Sequence, residues 1–219
     1  MKKNRIKVAI VYNEPTPEMY TRSANKNAPG AGFKHYIGTE NLTPMEEYDY
    51  LAKRLNRVGF NAYTLNIFDN LRRMLDDFEK NKPDVIFNFV ELYRDNPRLE
   101  MNIVGVYELL GIPYTGASAM ALANCQNKVL AKRLLSSNGI RVPEFFIVKQ
   151  KKKNYHRTLK FPLLVKPSLE DASIGIDNES IVKNSRQLRE RVEYVLRLFN
   201  QPVLIEEFIE GRELNISVL

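Results

Sequence analysis

The amino-acid sequence predicts an α/β protein, because segments typical of strands alternate with segments that have the periodicity of helices. The segment at residues 7–12 is almost entirely apolar and does not alternate, which predicts a strand buried on both faces. Further strands are predicted at residues 60–67 and 83–90, and a short strand with a turn at 111–116. Strands that alternate with helices form a parallel sheet covered on both faces. We therefore expect a parallel sheet in the N-terminal part of the chain.

The helices are predicted from apolar residues that recur every three or four positions. The first is expected to have Thr43 as its N-cap, Pro44 in its first turn and Glu46 three residues after the cap. Gly59 is expected to end it. Further helices are predicted at residues 71–79, 101–110, 127–138 and 186–199.

The pattern changes after Ser118, where helices and strands no longer alternate one by one. We place a domain boundary near residue 120, which gives an N-terminal domain at 1–120 and a second domain at 121–219. Strands are predicted in the second domain at residues 142–148 and 161–167 and from residue 203 onward. The helix at 127–138 is expected to bury an apolar face formed by Val129, Leu130, Leu134 and Leu135.

The composition is that of a globular protein with a basic balance. The chain has 219 residues, of which 44% are hydrophobic, and this length suggests one or two domains with a proper core. The formal net charge is +7, and much of the excess lies in one lysine- and arginine-rich run at residues 149–160. Such a run is most often a solvated loop, and no nucleic-acid-binding motif accompanies it. We therefore expect no nucleic-acid partner.

The N-terminus and the single cysteine indicate the compartment. The apolar run after the basic start spans only four residues, from Val8 to Val11, which is too short for a signal-peptide core or a membrane span. Cys125 cannot form a disulfide within the chain, which fits a reducing compartment. We therefore expect a cytoplasmic protein without a membrane partner.

The residues that point to chemistry lie between positions 161 and 213. A strand ends in Lys166-Pro167, and a turn of small and polar residues follows at 170–175. A lysine at a strand end beside exposed backbone N–H groups is suited to hold phosphate. A second strand ends in Glu206 and Glu207, which suits an adenine and a ribose. Each feature alone is more often an ordinary solvated strand end, so the hypothesis depends on their order and spacing.

Two common nucleotide motifs are absent from the sequence. No G-x-G-x-x-G follows the first strand, so the dinucleotide-binding fingerprint is missing. There is also no G-x-x-x-x-G-K-[ST], which excludes a standard P-loop. A nucleotide site must therefore be built in another way.

Two segments of the sequence resemble the D-alanine–D-alanine ligase group of the ATP-grasp superfamily. The first is Gly-Ile-Pro-Tyr-Thr-Gly-Ala-Ser at residues 111–118, followed by Asn127-Lys128 and by Gly-Ile-Arg-Val-Pro at 139–143. The second is the segment at 161–213. The resemblance implies a Rossmann-like pre-ATP-grasp domain followed by an α+β ATP-grasp central domain. It also implies an enzyme that uses ATP and Mg²⁺ to join the carboxylate of one amino acid to the amine of another.

On the phosphate side, the resemblance implies roles for one helix, one strand and one loop. Lys128 matches the first phosphate-binding lysine of the family, and Lys166 matches the second. Residues 170–175, which begin with Glu170, match the loop that folds over the phosphates. Ser173 stands where the family's Gly-Ser-Ser-x-Gly has its second serine, so the resemblance implies a catalytic role for Ser173.

On the base side, the resemblance implies contacts from the strand that ends near Glu206 and from the residues after it. Glu206 matches the carboxylate that accepts a hydrogen bond from the adenine amino group. Glu207 and Ile209 match the positions whose backbone groups contact adenine. Glu213 matches the ribose-binding carboxylate and is expected to start a return strand.

The sequence also departs from the family pattern, chiefly where the first amino-acid substrate is held. Asp171 and Ala172 replace the usual Gly and Ser of the phosphate loop, and a carboxylate near phosphate is electrostatically unfavourable. The Gly-Gly-x-Ser-x-Glu motif expected after the first strand is absent, and a long connection at residues 13–41 stands there instead. We expect this connection to lie over the substrate side or to be disordered, and to make the substrate unusual.

The chain ends at Leu219 within a predicted strand, so we expect a fragment that lacks a C-terminal lobe with the magnesium ligands. No metal ligand is predicted within the chain, and we expect it to be inactive as a ligase by itself. The substrates are expected to be small amino acids or peptides, and a homodimer is expected for a full-length protein. Two alternatives stay open: an ATP-grasp ligase for a different amino acid or peptide, and a nucleotide-binding module without catalysis.

Overall fold

The computed structural model describes residues 5–14, 44–152, 155, 159–170, 173–214 and 216. The chain divides between Ala123 and Asn124 into two units. This division and the boundary predicted near residue 120 both fall inside a helix at Ala119–Gln126. Several predicted features lie outside the described residues: the Thr43 cap, most of the connection at 13–41, part of the basic run, Asp171 and Ala172.

The first unit contains a parallel three-stranded sheet, as the sequence predicts. Its strands are β1 at Lys7–Tyr12, β2 at Asn61–Asn66 and β3 at Val85–Phe89, in the order β2-β1-β3. Both neighbours of β1 run parallel to it, with Ile10 opposite Thr64 on one side and Phe87 on the other. The central position of β1 explains its sequence, because a strand covered on both faces favours apolar residues at every position.

The helices among the described residues of this unit are α1 at Pro44–Arg57, α2 at Leu71–Asn81 and α3 at Glu100–Leu110, and a further helix, α4 at Ala119–Gln126, crosses the end of the unit. One cluster of buried side chains includes Val11, Met74 and Tyr107, and a separate cluster includes Ile10, Tyr48 and Ala52. Alternate residues of β1 therefore pack into different clusters, which confirms the sheet covered on both faces.

The second unit contains an antiparallel four-stranded sheet. Its strands are β4 at Phe145–Val148, β5 at Leu163–Pro167, β6 at Ile181–Val182 and β7 at Val203–Glu207, in the order β4-β7-β5-β6. Two helices accompany the sheet, α5 at Lys128–Ser137 and α6 at Ser185–Phe199. This mixture of helices and antiparallel strands agrees with the α+β arrangement expected for the second part of the chain.

One face of the antiparallel sheet forms the core of the second unit together with α6. Leu188, Val192 and Val195 of α6 cluster with Val165 of β5 and Ile205 of β7, and all are buried. Because successive side chains of a strand point to opposite faces, the residues between these positions lie on the other face. Lys166 and Glu206 are on that other face.

Two predictions about local structure need correction, and one helix was missed. The segment at 111–116 is not a strand but contributes a single bridge between Tyr114 and Ile86. The helix α4 was not predicted, since residues 119–126 have no clear amphipathic pattern. Glu213 is exposed and belongs to no strand, so the expected return strand does not begin there.

The predicted apolar face of α5 is also different in the structure. Leu130, Leu134 and Leu135 are 38%, 41% and 42% exposed, whereas Lys132 is only 9% exposed. The helix thus buries a lysine rather than this leucine stripe.

No helix among the described residues is both long and apolar enough to cross a membrane.

Candidate functional site

The candidate site lies on the face of the antiparallel sheet opposite α6. In the register of β5 and β7, Leu164 lies opposite Glu206 and Lys166 lies opposite Leu204. Lys166 and Glu206 are therefore diagonal neighbours on the same face, within reach of a long side chain. The strand pairing brings together two predicted site residues that are 40 positions apart in the sequence.

Glu206 is the centre of a cluster of three charged side chains, which we call the Glu206 cluster: Glu206, Lys132 and Lys166. Lys166 Nζ lies 2.5 Å from Glu206 Oε1, and Lys132 Nζ lies 2.7 Å from Glu206 Oε2. Glu206 itself is only 5% exposed. Each oxygen of the carboxylate thus has its own ammonium group, although Oε2 accepts no aligned hydrogen bond within the described residues.

The charges of the Glu206 cluster do not balance. Two ammonium groups face one carboxylate, which leaves an excess positive charge, and the side chains of Lys132 and Lys166 are only 11% and 16% exposed. An uncompensated charge away from water is unfavourable, so such a site favours the approach of an anion. The cluster is therefore suited to an anionic ligand.

The two lysines are held differently. Lys132 Nζ also donates a hydrogen bond to Pro143 O at 3.2 Å and lies 5.2 Å from the centre of the Phe145 ring. Lys166, within the described residues, has its ion pair with Glu206 and no second polar partner. Lys132 was not among the predicted site residues. Its spacing of four positions from Lys128 on one helix is the signal that could have found it.

Lys128 is the first residue of α5, and Asn127 caps the helix by accepting a hydrogen bond from Leu130 N. The backbone N–H of Lys128 donates to Ser168 O at 3.1 Å. Ser168 directly follows β5, so the N-terminus of α5 lies beside the end of the strand that carries Lys166. The Lys128 side chain is half-buried. The structure thus places the two predicted phosphate lysines on adjoining elements.

The loop after β5 is tied to the start of β7 through Gln201. The side chain of Gln201 accepts a hydrogen bond from Leu169 N at 2.7 Å and donates one to Glu170 Oε1 at 2.6 Å. Ser168 N also donates to Pro202 O at 3.1 Å. Glu170, a predicted site residue, therefore has a carboxylate oxygen that is already occupied by a protein partner.

The far end of this loop is a tight turn. Ser173 has a positive φ of 61°, and Ile176 N donates to Ser173 O at 3.0 Å. Gly175 has a φ of 75° and packs so closely on Pro167 and Phe199 that a Cβ atom would lie 2.6 Å and 2.7 Å from their rings. Backbone this close to neighbouring rings fits glycine and no other residue without a shift.

A second residue that was not predicted, Arg191 of α6, holds the segment that follows the turn. Its Nη2 donates to Gly175 O at 2.9 Å, to Asp177 Oδ2 at 3.0 Å and to Ser180 Oγ at 2.8 Å. Arg191 is only 4% exposed. In the sequence, Arg191 interrupts an otherwise apolar helix face, and this pattern is the signal that could have found it. An arginine that is buried on such a face needs several hydrogen-bond acceptors.

The residues predicted for the base and ribose lie at the end of β7 and after it. Glu207 and Glu144 form two hydrogen bonds with each other. Glu207 N donates to Glu144 O at 3.0 Å, and Glu207 Oε2 accepts from Glu144 N at 3.3 Å. Ile209 is 64% exposed, and Glu213 is also exposed. Within the described residues, neither Ile209 nor Glu213 forms a hydrogen bond or ion pair with the Glu206 cluster. The structure therefore joins Glu206 to Lys166 but not to Glu213.

In the first unit, Asn13 occupies the end of β1, where the resemblance leads one to expect a substrate motif. Asn13 Nδ2 donates to Asp69 Oδ1 at 2.7 Å and to Leu92 O at 2.9 Å, and Asn13 Oδ1 accepts from Asp69 N at 2.8 Å. The side chain thus links the ends of all three strands. These hydrogen bonds make Asn13 a structural residue of the sheet edge.

A groove of about 730 Å³ also lies in the second unit, between α6 and the residues after β4. Its lining includes Lys149, Lys151, Glu193 and Arg197. None of the predicted site residues lines this groove. The chemistry of the Glu206 cluster, rather than the volume of this groove, therefore marks the candidate site.

Comparison with known proteins shows which family the chain resembles. The family model described as "D-ala D-ala ligase C-terminus" matches residues 134–219. The chain is 30% identical over 194 residues to the D-alanine–D-alanine ligase of Pelagibacter ubique, with 84% of this chain and 58% of that protein covered. It is 34% identical over 119 residues to the D-alanine–D-alanine ligase of Geobacter sulfurreducens, with 53% of this chain and 36% of that protein covered.

The fold is also shared with a solved structure, the D-alanine–D-alanine ligase from Bacillus anthracis complexed with ATP. The TM-score is 0.61 at 21% sequence identity, and the similarity covers 95% of this chain and 58% of that one. The chain thus spans about three fifths or less of the length of these relatives. Together, the family match, the sequence relatives and the common fold identify the chain as a D-alanine–D-alanine ligase-like ATP-grasp protein.

Proposed function

We propose that the chain forms the ATP-binding part of a carboxylate–amine ligase of the D-alanine–D-alanine ligase type. The observation that carries this proposal is the buried ion pair between Lys166 and Glu206, beside an excess positive charge from Lys132. ATP combines a polyanion with a base that has an amino group as donor. A lysine and a carboxylate on one face of a sheet match these two chemical features.

The phosphate side of the proposed site consists of Lys166, Lys128 and the loop after β5. The uncompensated charge of the Glu206 cluster fits an anion, and Lys128 begins α5 beside the end of β5. We propose that the loop to which Glu170 and Ser173 belong folds over the phosphates. Ser173 would donate its hydroxyl group to a phosphate oxygen from the turn at the far end of this loop.

The base side is proposed to consist of Glu206, the backbone of Glu207 and Ile209, and the carboxylate of Glu213. Glu206 would accept a hydrogen bond from the adenine amino group. The exposed position of Ile209 and Glu213 leaves their polar groups accessible to a ligand. Glu213 would bind the ribose, a role that requires no direct contact with Glu206.

In a ligase of this type, ATP supplies a phosphoryl group that activates a carboxylate for attack by an amine. The part of this chain is to bind and orient the nucleotide, since phosphoryl transfer relies on positioned charges more than on covalent help from the protein. Within the described residues, no group of three or more histidine, cysteine or carboxylate side chains is placed to hold a metal ion. We therefore assign no residue to Mg²⁺, and the Mg²⁺ expected from the resemblance stays a prediction.

The substrates are proposed to be small amino acids, because the relatives with known names are D-alanine–D-alanine ligases. A ligase for a different amino acid or peptide is the second candidate. Asn13 favours it, since the residue at the end of β1 is fully used in hydrogen bonds within the protein. The alternative of a nucleotide-binding module without catalysis stays open. Three further expectations stay predictions: the homodimer, the cytoplasmic location and the inactivity of this chain by itself.

Calorimetric titration with a non-hydrolysable ATP analogue tests the nucleotide site. Replacement of Lys166 by alanine removes a charged partner of phosphate, and such losses cost about 2–5 kcal/mol, a factor of about thirty or more in affinity. The change Glu213→Gln keeps a hydrogen-bonding side chain and should cost nearer to about 1 kcal/mol. Lys132 still neutralises Glu206 in Lys166→Ala, so the fold should persist. Small and equal effects of the two changes would show that Lys166 does not contact phosphate.

A further inference from the structure

We propose that Lys132 is a positioning residue that keeps the Glu206 carboxylate in place while Lys166 leaves Glu206 for the phosphates of a bound nucleotide. This inference rests on the proposed ATP-binding function and concerns how the same site recognises phosphate and base together. Lys132 itself contacts no ligand in this arrangement. Its partners are Glu206, Pro143 O and the Phe145 ring.

The first step of the argument is that Lys166 has two possible partners. In the structure its ammonium group lies 2.5 Å from Glu206 Oε1. In the proposed exchange, the phosphate oxygens, which are strong acceptors, draw the ammonium group of Lys166 away from Glu206. Phosphate binding therefore exposes Glu206 Oε1 to a new donor.

The second step concerns the partner of Glu206 after that exchange. A carboxylate that is only 5% exposed is unfavourable when no cation lies beside it. Lys132 prevents this, since its Nζ lies 2.7 Å from the other oxygen, Oε2. The additional hydrogen bond from Lys132 to Pro143 O holds this ammonium group where it is. Lys132 is therefore the partner that stays, and Lys166 is the one that moves.

The consequence is that phosphate and base are recognised in a coupled way. A charged Glu206 with a free Oε1 accepts a hydrogen bond from the 6-amino group of adenine, but it repels the 6-oxo group of hypoxanthine. The protein should therefore prefer ATP to ITP, and this preference should depend on Lys132. Without phosphate, Lys166 still occupies Oε1, so adenosine should bind poorly. Coupling of this kind is reciprocal between the two parts of the ligand.

Calorimetric titrations of the full chain with ATP and ITP test this role. Replacement of Lys132 by methionine should lower the affinity for ATP by about tenfold or more, because the acceptor for the amino group is no longer held in place. The same change should reduce the preference for ATP over ITP to less than about threefold. Lys132→Arg keeps the charge and should keep the preference. If Lys132→Met retains both the affinity and the preference, the proposal is wrong.

A double-mutant cycle separates this role from a general effect on folding. In a Glu206→Gln background there is no charge for Lys132 to stabilise, so adding Lys132→Met should change ATP affinity by less than about threefold. An equal loss in both backgrounds would overturn the proposal, because Lys132 would then act independently of Glu206.

Adenosine provides a test of opposite sign. The change Lys166→Met should weaken ATP binding by about thirtyfold. The variant should nevertheless bind adenosine at least as tightly as the unchanged protein, because Glu206 Oε1 is released from Lys166. Weaker adenosine binding by Lys166→Met would contradict the exchange. If the unchanged protein binds no nucleotide, the proposed function fails together with this inference. If ATP binding depends on Lys166 but not on Lys132, the inference fails and the proposed function stands.

Discussion

Gly175 allows a sharp test of how the loop after β5 is packed. A Cβ atom at this position would lie 2.6 Å from Pro167 Cγ and 2.7 Å from Phe199 Cζ, distances that real Cβ atoms do not reach. The backbone of Gly175 also has a φ of 75°. Alanine at this position would therefore be unfavourable for two reasons, its backbone conformation and its contact with two rings.

Gly139 allows the backbone contribution to be measured without the packing contribution, because it has nearly the same backbone conformation as Gly175 and no close neighbour. Its φ is 76°, and an added Cβ would meet nothing within 4 Å. The left-handed backbone alone should make Gly139→Ala cost about 1 kcal/mol of the free energy of unfolding. Gly175→Ala carries the same cost and adds about 1–3 kcal/mol for overpacking, since the Pro167 ring is buried and rigid while Phe199 can shift only in part. We therefore expect a loss of about 2–4 kcal/mol at Gly175.

Urea unfolding followed by far-UV circular dichroism measures both changes, since the chain has no tryptophan for fluorescence. The two units can unfold separately, so the two variants are compared in the transition that Gly139→Ala shifts. Both glycines lie in the second unit, which makes the comparison direct. Equal losses at Gly175 and Gly139 would refute the packing argument, because the backbone term would then explain the whole effect.

Two further predictions concern buried and exposed polar groups. Arg191→Met removes three hydrogen bonds of a side chain that is 4% exposed and should cost about 2–3 kcal/mol of the free energy of unfolding. Arg186→Met, which breaks only an exposed ion pair on the same helix, should cost less than about 0.5 kcal/mol in the same urea titration. A hydrogen bond of 2.6 Å to Glu108 raises the pKa of Tyr114 from 10.0 to about 12, so the neutral phenol is the form that the fold stabilises. This contribution is fully present below pH 10.0 and is lost as the pH rises through about 12. Tyrosine-labelled NMR titration should show the Tyr114 pKa moving back towards 10.0 in Glu108→Gln, and an unchanged pKa would contradict the assignment to Glu108.

The parallel sheet of the first unit could be predicted from the sequence because its signals are local. A strand buried on both faces needs apolar residues along its whole length, and β1 at Lys7–Tyr12 has them. The helices α2 and α6 have strong amphipathic patterns and begin at asparagine caps, Asn70 and Asn184, so their positions agree within about two residues. The short strand predicted at 111–116 failed because a single bridge leaves almost no pattern in the sequence.

The site was predicted only in part, for a related reason. Lys166 could be recognised because it follows an apolar strand and precedes a proline and a polar turn. Lys132 was missed because a lysine within an amphipathic helix is usually solvated, and the leucines beside it suggested a different buried face. Arg191 was missed in the same way, since its acceptors lie in a turn 11 to 16 positions earlier in the chain.

The sequence by itself determined the α/β class, the parallel sheet, the resemblance to D-alanine–D-alanine ligases and the candidate residues Lys128, Lys166 and Glu206. The class and the sheet follow from local composition and periodicity, Lys166 and Glu206 from their places at strand ends, and Lys128 from the resemblance. The tertiary structure alone decided which of these residues meet. The antiparallel register of β5 and β7 places Lys166 beside Glu206, and Lys132 reaches the same carboxylate from α5. Such a cluster depends on contacts between residues far apart in the chain, and the energy of a buried charge depends on its surroundings rather than on its neighbours in sequence.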